Sequence, residues 1–427
     1  MLAAVSRKSH HIVELWVATL FIAALVGFWV YATSVPVLRD ATTIVTAIGI
    51  ANSVEEEDGE AGFELNGRSA RYVIARPDDE VLGILRASEE SGNAVSLHVH
   101  LDGARFGYFS NDPEYWVQSV EYLGKSHGKF AARIPWSWRD MGPGDAGLLR
   151  GFALEGAWRY EDAVKALDSS LAAGSLGGGR RALAHLTRGS AQESLAYPPG
   201  RAINDRDDRL LMRAIGDYRQ AAALDNSDHR ALLRQGNAAR SLGAYDEALA
   251  LYDEVRRRWP EQYFRAAILR GATYRQIGKL DAALGELDTL VKEHGSQDGM
   301  MYHYHRGWTL TELRRYPEAV QEFTAGLQSQ PDFAWAFVKR ACAYAQQGEI
   351  ELALADQKRA LESWIAVERA TRAGDMYRQR TVLEDMIRAL ELALQSAPSR
   401  PNDAPCANAF SGPATERRER SELFEPA

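Results

Sequence analysis

The chain has 427 residues, room for two or three domains, and 46% of them are hydrophobic and 25% charged, so most of it can bury a core. A formal net charge of −8 argues against a dedicated nucleic-acid binder, which would be basic. The two cysteines, Cys342 and Cys406, lie far apart without metal-type spacing, which excludes a disulfide scaffold.

Residues 1–11 include Arg7 and Lys8, and from Leu15 to Leu38 no charged residue occurs. That run exceeds the roughly 20 apolar residues that span a bilayer, and Trp16, Trp29 and Tyr31 sit near its ends, where amphipathic rings suit the interfaces. The expectation is one transmembrane helix over residues 12–38. The positive-inside rule leaves the N-terminus cytoplasmic and the bulk across the membrane, in a bacterium the periplasm, with the chain anchored in the inner membrane. A cleaved signal peptide competes with this reading, but its apolar core is shorter, and Tyr31 to Pro36 holds no A-x-A site. Glu14 lies at the cytoplasmic edge, where a carboxylate stays hydrated.

Residues 39–133 read as a small β-rich domain. Thr42 to Val54 is rich in Val, Ile and Thr; Phe63-Glu64-Leu65 runs into the hairpin pair Asn66-Gly67; Tyr72 to Ala75 is a short strand ending at Pro77. Asp78 to Ser91 has helical spacing, with Asp78 or Asp79 as N-cap. Alternation returns over Val95 to Ser110, and Tyr115 to Leu123 is a last strand or short helix. The order strand, strand, strand, helix, strand, strand resembles an OB-like small barrel. His98 and His100 share one strand face and are half of a possible metal site; no third ligand is identifiable, and the solvated face of a half-buried strand is the preferred account. The aromatics Tyr108, Phe109, Tyr115, Trp116 and Tyr122 lack interleaved basic residues, so they read as core and not as a nucleic-acid platform.

Residues 134–146, with Pro135, Pro143 and Gly144, read as a connector in which Trp136 and Trp138 wedge two domains together. From residue 147 a register repeats. Gly151, Gly189, Gly236, Gly271, Gly307 and Ala341 form a column of small residues where paired helices cross closely. Ala163, Ala214, Ala248, Ala283, Ala319 and Ala353 form a second, and Leu167, Tyr218, Tyr252, Leu287, Phe323 and Gln357 a third. Gly243, Gly278 and Gly348 fill turns between helices, and Pro260 and Pro331 close two units.

These columns, in units of about 34 residues, resemble the tetratricopeptide-repeat (TPR) family. The resemblance implies an α-solenoid of six helix pairs over residues 147–374. A capping helix over 375–396 and a disordered tail over 397–427 follow from periodicity and composition. Three departures stand out: Trp158 at a turn-glycine position, an insertion from Tyr197 to Asp208, and Gln357 in the aromatic column, which suggests a more polar outer face there.

TPR proteins hold extended peptides or partner helices on the concave face lined by the first helix of each pair. That places Arg230, Arg234, Asn237 and Arg240 of the third unit, Arg265 and Arg275 of the fourth, Tyr304 and Trp308 of the fifth and Trp335 of the sixth on the partner-binding surface. Arginine forks beside an asparagine suit an acidic or carboxyl-terminal peptide, and the aromatics supply anchors. The competing account makes the arginines a solvated face or pairs them with Asp225, Asp228 and Asp246. His303 and His305, two apart on a helix, point to different sides and do not share a metal.

No GxSxG, HExxH, P-loop or dinucleotide fingerprint occurs, so no enzyme and no cofactor is expected. The expected function is a membrane-anchored scaffold or adaptor for protein partners, similar in layout to bacterial inner-membrane TPR proteins of the cell envelope. The alternatives are a ligand- or metal-sensing module using the β-rich domain, or a permanent accessory subunit of a membrane complex.

Overall fold

The computed structural model describes the chain except residues 1–34, 39–43, 50, 58, 66–69, 92–94, 107–112, 123–124, 129–137, 198–205, 295–298, 332, 372–376 and 396–427. Nine strands come first: β1 (Val35–Leu38), β2 (Ile44–Gly49), β3 (Ala51–Glu57), β4 (Glu60–Leu65), β5 (Arg71–Ala75), β6 (Val95–Phe106), β7 (Pro113–Tyr122), β8 (Lys125–His127) and β9 (Trp138–Asp140). Helix α1 (Asp79–Ser91) lies between β5 and β6, and Asp78 caps it by accepting from the Val81 amide at 2.9 Å.

The strand pairings follow a path from β3 to β2 whose two ends are joined only by the chain. β3 pairs with β4, β4 with β5, β5 in parallel with β7, β7 with β6, and β6 with β2, which one residue separates from β3. At that corner the β3–β4 register shifts between Asn52 and Glu55, and Ser53 has φ 52°. Amides freed there are taken up by α1: Ala51 N donates to Ser88 Oγ at 3.1 Å and Ser53 N to Glu89 Oε1 at 2.7 Å. The helix thus plugs the sheet where its ladder is interrupted. Phe63, Ile74, Leu85, Leu97, Tyr115 and Val120 fill the interior. Tyr115 and Trp116 are buried, as expected of core aromatics; Tyr108 and Phe109 lie outside the described residues.

Residues 12–34 of the expected transmembrane span lie outside the described residues. Its last four residues form β1, paired antiparallel with β6 and parallel with β9, so the expected helix to Leu38 is corrected: Val35–Leu38 are a strand. Among the described residues no helix is long and apolar enough to cross a membrane.

The expected connector is also corrected. Trp138–Asp140 is strand β9, and Pro143, at the first turn where its missing N–H costs nothing, opens α2 (Pro143–Gly156). Leu148, Leu149 and Phe152 of α2 belong to the same apolar cluster as the barrel interior. The Tyr115 hydroxyl donates to the Leu149 carbonyl at 2.8 Å, and rings stack in sequence from Phe63 through Tyr72 and Tyr115 to Phe152. The barrel and the first helix pair therefore share one core.

The helices continue as α3 (Tyr160–Ala172), α4 (Gly178–Leu195), α5 (Asp208–Leu224), α6 (His229–Leu242), α7 (Tyr245–Arg258), α8 (Tyr263–Gln276), α9 (Leu280–His294), α10 (Met300–Glu312), α11 (Tyr316–Ser329), α12 (Ala334–Gln347), α13 (Ile350–Thr371) and the cap α14 (Tyr377–Gln395). The sequence columns are the packing. All six alanines of the second column are fully buried. A Cβ on Gly189 would lie 2.6 Å from Tyr218 Cε1, one on Gly236 2.6 Å from Tyr252 Cε1, and one on Gly307 2.9 Å from Phe323 Cε1. Glycine is required because the aromatic of the second helix rests on the backbone of the first. Gln357 fills the same column in the sixth unit and is wholly buried, which corrects the expected polar outer face.

Gly243, Gly278 and Gly348 have φ of 85°, 79° and 83°; the equivalent turns hold Trp158 at 63° and Arg314 at 61°. The insertion is pinned at its base, where Asp207 N donates to Ala196 O at 2.8 Å. Residues 397–427 of the expected tail lie outside the described residues.

A further regularity knits the units. The residue before each close-crossing small residue is Arg188, Gln235, Arg270, Arg306 or Arg340 in units two to six. Arg188 binds Asp217 of its own unit at 2.8 and 2.7 Å and Asp168 of the preceding unit at 2.6 Å. Arg270 likewise joins Glu286 at 3.1 Å and Asp253 at 2.5 Å, and Arg306 joins Glu322 and, at 2.9 Å, Asp288. Arg340 holds Asp356 at 2.8 Å and the Thr324 hydroxyl at 2.9 Å. In the third unit the polarity is reversed: Gln235 and, from the preceding unit, Arg219 converge on Glu247 at 3.1 and 2.9 Å.

Candidate functional site

The expected partner-binding residues lie on α6, α8, α10 and α12, and the structure divides them. Arg230 is tied to its own helix cap: it bonds Asp228 through Nε at 2.8 Å and Nη2 at 2.6 Å, as the competing account held, while Asp228 also accepts from the Arg230 amide. Tyr304 is corrected from an anchor to a core residue, only 7% exposed, with its ring against Trp308, Phe323 and Phe333. Trp335 is half-buried against the same apolar cluster.

The others line a continuous inner strip. Arg234 keeps 40% of its side chain exposed and lies 3.6 Å from Glu193, which also accepts from the Tyr218 hydroxyl at 2.6 Å. Burial works against the Arg234 charge, yet Tyr218, Glu193 and Glu155 outweigh it and raise its pKa. Arg265 is exposed, has no ionic partner among the described residues, and is held below the ordinary arginine value by burial and then by the like charge of Arg234. Asn237 accepts from the Tyr252 hydroxyl at 2.7 Å, which fixes its amide.

Further along, Arg240 donates to Gln276 Oε1 at 3.0 Å and Arg275 to Glu312 Oε1 at 2.8 Å. The Arg275 guanidinium lies 3.5 Å from the centroid of the Trp308 ring, and Lys339 Nζ lies 3.8 Å from it. A tryptophan face attracts cations, so these contacts hold two charges and one ring as a rigid group. His305 stands beside them. Burial, with the charges of Arg275 and Arg240, brings its pKa to about 3, so it is neutral at physiological pH.

His305 and Lys339 were missed as members of this strip, although a signal existed. Each precedes its close-crossing residue by two places, as Arg234 does. His303 faces away and pairs with Glu322 at 2.9 Å, so the two histidines do point to different sides.

In the barrel, His98 Nδ1 lies 2.9 Å from Ser119 Oγ on the neighbouring strand. The backbone of His100 pairs with Ile44 and Trp116. Among the described residues no group of three His, Cys, Asp or Glu side chains is placed to hold a metal ion.

A family profile described as tetratricopeptide repeat matches residues 201–263, 268–334 and 307–368. Comparison with characterised protein sequences gives no match. Among solved structures, MamA MSR-1 is 26% identical over 36% of this chain and 86% of that one, with a TM-score of 0.28. YrrB, a TPR protein with an unusual peptide-binding site, is 21% identical over 45% of this chain and 92% of that one, with a TM-score of 0.29. Pseudomonas aeruginosa pilF is 19% identical over 57% of this chain and 97% of that one, with a TM-score of 0.36. The profile match runs from α5 to α13, and residues 201–368 carry tetratricopeptide repeats.

Proposed function

We propose that this chain is a scaffold that holds an acidic segment of a partner protein along the inner strip of its solenoid. The observation that carries this reading is the strip of Arg234, Arg265, Arg240 and Arg275 across two consecutive units, with Arg265 lacking an ionic partner among the described residues and weakened by Arg234. Like charges set side by side cost stability, and an acidic ligand offsets that cost. The barrel contributes placement: its core continues into the first helix pair, so barrel and first helix pair are held as one packed unit.

The apolar composition of residues 12–34 supports a membrane anchor there, with the solenoid on the extracytoplasmic side, and the path of pairings from β3 to β2 supports an OB-like barrel. The test is affinity purification of the full-length protein in gentle detergent beside an Arg234→Gln/Arg265→Gln variant, with mass spectrometry of what is retained. A defined protein lost from the variant, whose far-UV circular dichroism is unchanged, supports the reading. An identical retained set sinks it.

A further inference from the structure

Trp116 is only 2% exposed, yet it is not part of the barrel interior. Side chains alternate along a strand, so the inward Tyr115 turns Trp116 to the outer face of β7. There it pairs with Val73 of β5 and His100 of β6. Val73 is also buried and also absent from the interior cluster. Arg105, joined to Glu114 at 2.5 Å, sets its guanidinium 5.5 Å from the Trp116 ring centroid. One guanidinium covers part of an indole and not the whole, so a second layer lies over this face. Trp116 Nε1 is buried without a hydrogen-bond partner among the described residues, although a buried indole N–H usually finds one.

The sheet is met here from the far end of the chain. Strand β6 packs against α2 of the first unit and also against α13 of the sixth. α13 is 22 residues long, whereas the other second helices, α3, α5, α7, α9 and α11, span 13 to 17. Against the 14 residues of α11, the excess adds about 12 Å of helix. The sequence accounts for the length. Gly174 follows α3, Pro260 follows α7 and Pro331 follows α11, but no Gly or Pro interrupts the chain between Gly348 and Gly374.

We propose that the C-terminal turns of α13 are the second layer over Trp116, and that this contact is a clasp joining the sixth unit to the barrel. A repeat solenoid is otherwise open-ended, each unit touching only its neighbours. With the clasp shut, the first and sixth units meet on one strand, β6, and the stack closes into a circle. The clasp is built to release. When α13 leaves, the indole N–H of Trp116 regains a water partner, which offsets part of the apolar area uncovered. Release opens the circle sideways to a partner chain that has no free end to thread through it.

The test is a distance between barrel and sixth unit, measured by double electron–electron resonance on the full-length protein in detergent. Nitroxide labels go on Arg86→Cys, exposed on α1, and Leu352→Cys, 47% exposed at the start of α13, in a Cys342→Ala/Cys406→Ser background. The labelled parent should give one narrow distance. Ser363→Pro, which breaks α13 ahead of its last turns, and Trp116→Glu, which sets a charge under them, should each broaden it or move it by about 10 Å, one helix diameter. Arg213→Gln, on the exposed face of α5, should leave it unchanged. Far-UV circular dichroism and a thermal melt separate an opened clasp from a lost fold; if Trp116→Glu does not fold, Ser363→Pro decides. A broad distribution in the parent overturns the clasp, as does an unmoved distance in either folded variant or an equal shift in Arg213→Gln. The inner-strip reading has its own readout, the retained partner, and does not fall with the clasp.

Discussion

In the barrel key pairings join strands far apart along the chain: β2 is held by β6, and β5 by β7. In the solenoid the ring-on-glycine contacts lie within one unit, and the arginine bridges reach only to the unit before. The first arrangement fails as a whole, whereas the second localises damage to a unit and its neighbours. The shared core at α2 is where one regime gives way to the other.

Tyr115→Ala should have the largest effect, because the ring is fully buried, stacks on Tyr72 and Phe152 and donates to α2. Burial holds its phenol far above the usual pKa, so it stays a donor. The expected cost is about 3–5 kcal/mol. Hydrogen exchange should show the barrel and α2 losing protection while α8 to α11 keep theirs. Equal loss in those helices would break the comparison.

Arg188→Ala comes next, at about 3 kcal/mol by denaturant unfolding, since it strands Asp217, whose side chain is 5% exposed. Burial alone would raise the Asp217 pKa, but the bonds from His185 and Arg188 outweigh it and lower it. The sign follows: a depressed folded value contributes stability above the unfolded value of about 4 and loses it as pH falls through the folded one. The gap between wild type and Arg188→Ala should therefore narrow as the solution is acidified below about pH 4.

Gly236→Ala should cost about 1–3 kcal/mol, because the new methyl meets the Tyr252 ring at 2.6 Å. Gly216→Ala, in the open on α5, should instead gain about 0.5–1 kcal/mol from helix propensity. The pair tests whether position in the register, and not glycine as such, sets the outcome. Arg314→Gly should have the smallest effect, a gain of at most about 1 kcal/mol in thermal unfolding, because Arg314 is exposed at φ 61° where three other turns use glycine.

The solenoid was legible because its packing repeats: a small residue at the close crossing and an alanine in the second helix recur in register, so each of those two columns is sampled six times. The order of barrel elements was legible from alternation and the Asp78 cap. β1 and β9 were not, because four- and three-residue strands carry no periodicity; β1 is held by β6 and β9 by β1. In the site, charge type was readable but partnership was not. Arg230 has Asp228 two residues before it at its own helix cap and is bound there, whereas Arg265 has no such neighbour and is exposed. Tyr304 looked like an anchor because aromatic residues serve both core and surface, and here the facing Phe323 and Phe333 decide.

The reversed polarity of the third unit bears on how such a chain can change by duplication and deletion. Every other bridging arginine meets an acid or a hydroxyl on the preceding unit, whereas the second unit presents Arg219 at that place. If the third unit were excised, Arg270 would be brought against Arg219, and two cations would meet where Arg270 now meets Asp253. Gln235 and Glu247 thus make the third unit the one that fits after the second, and the solenoid carries its own rule for the order of its parts.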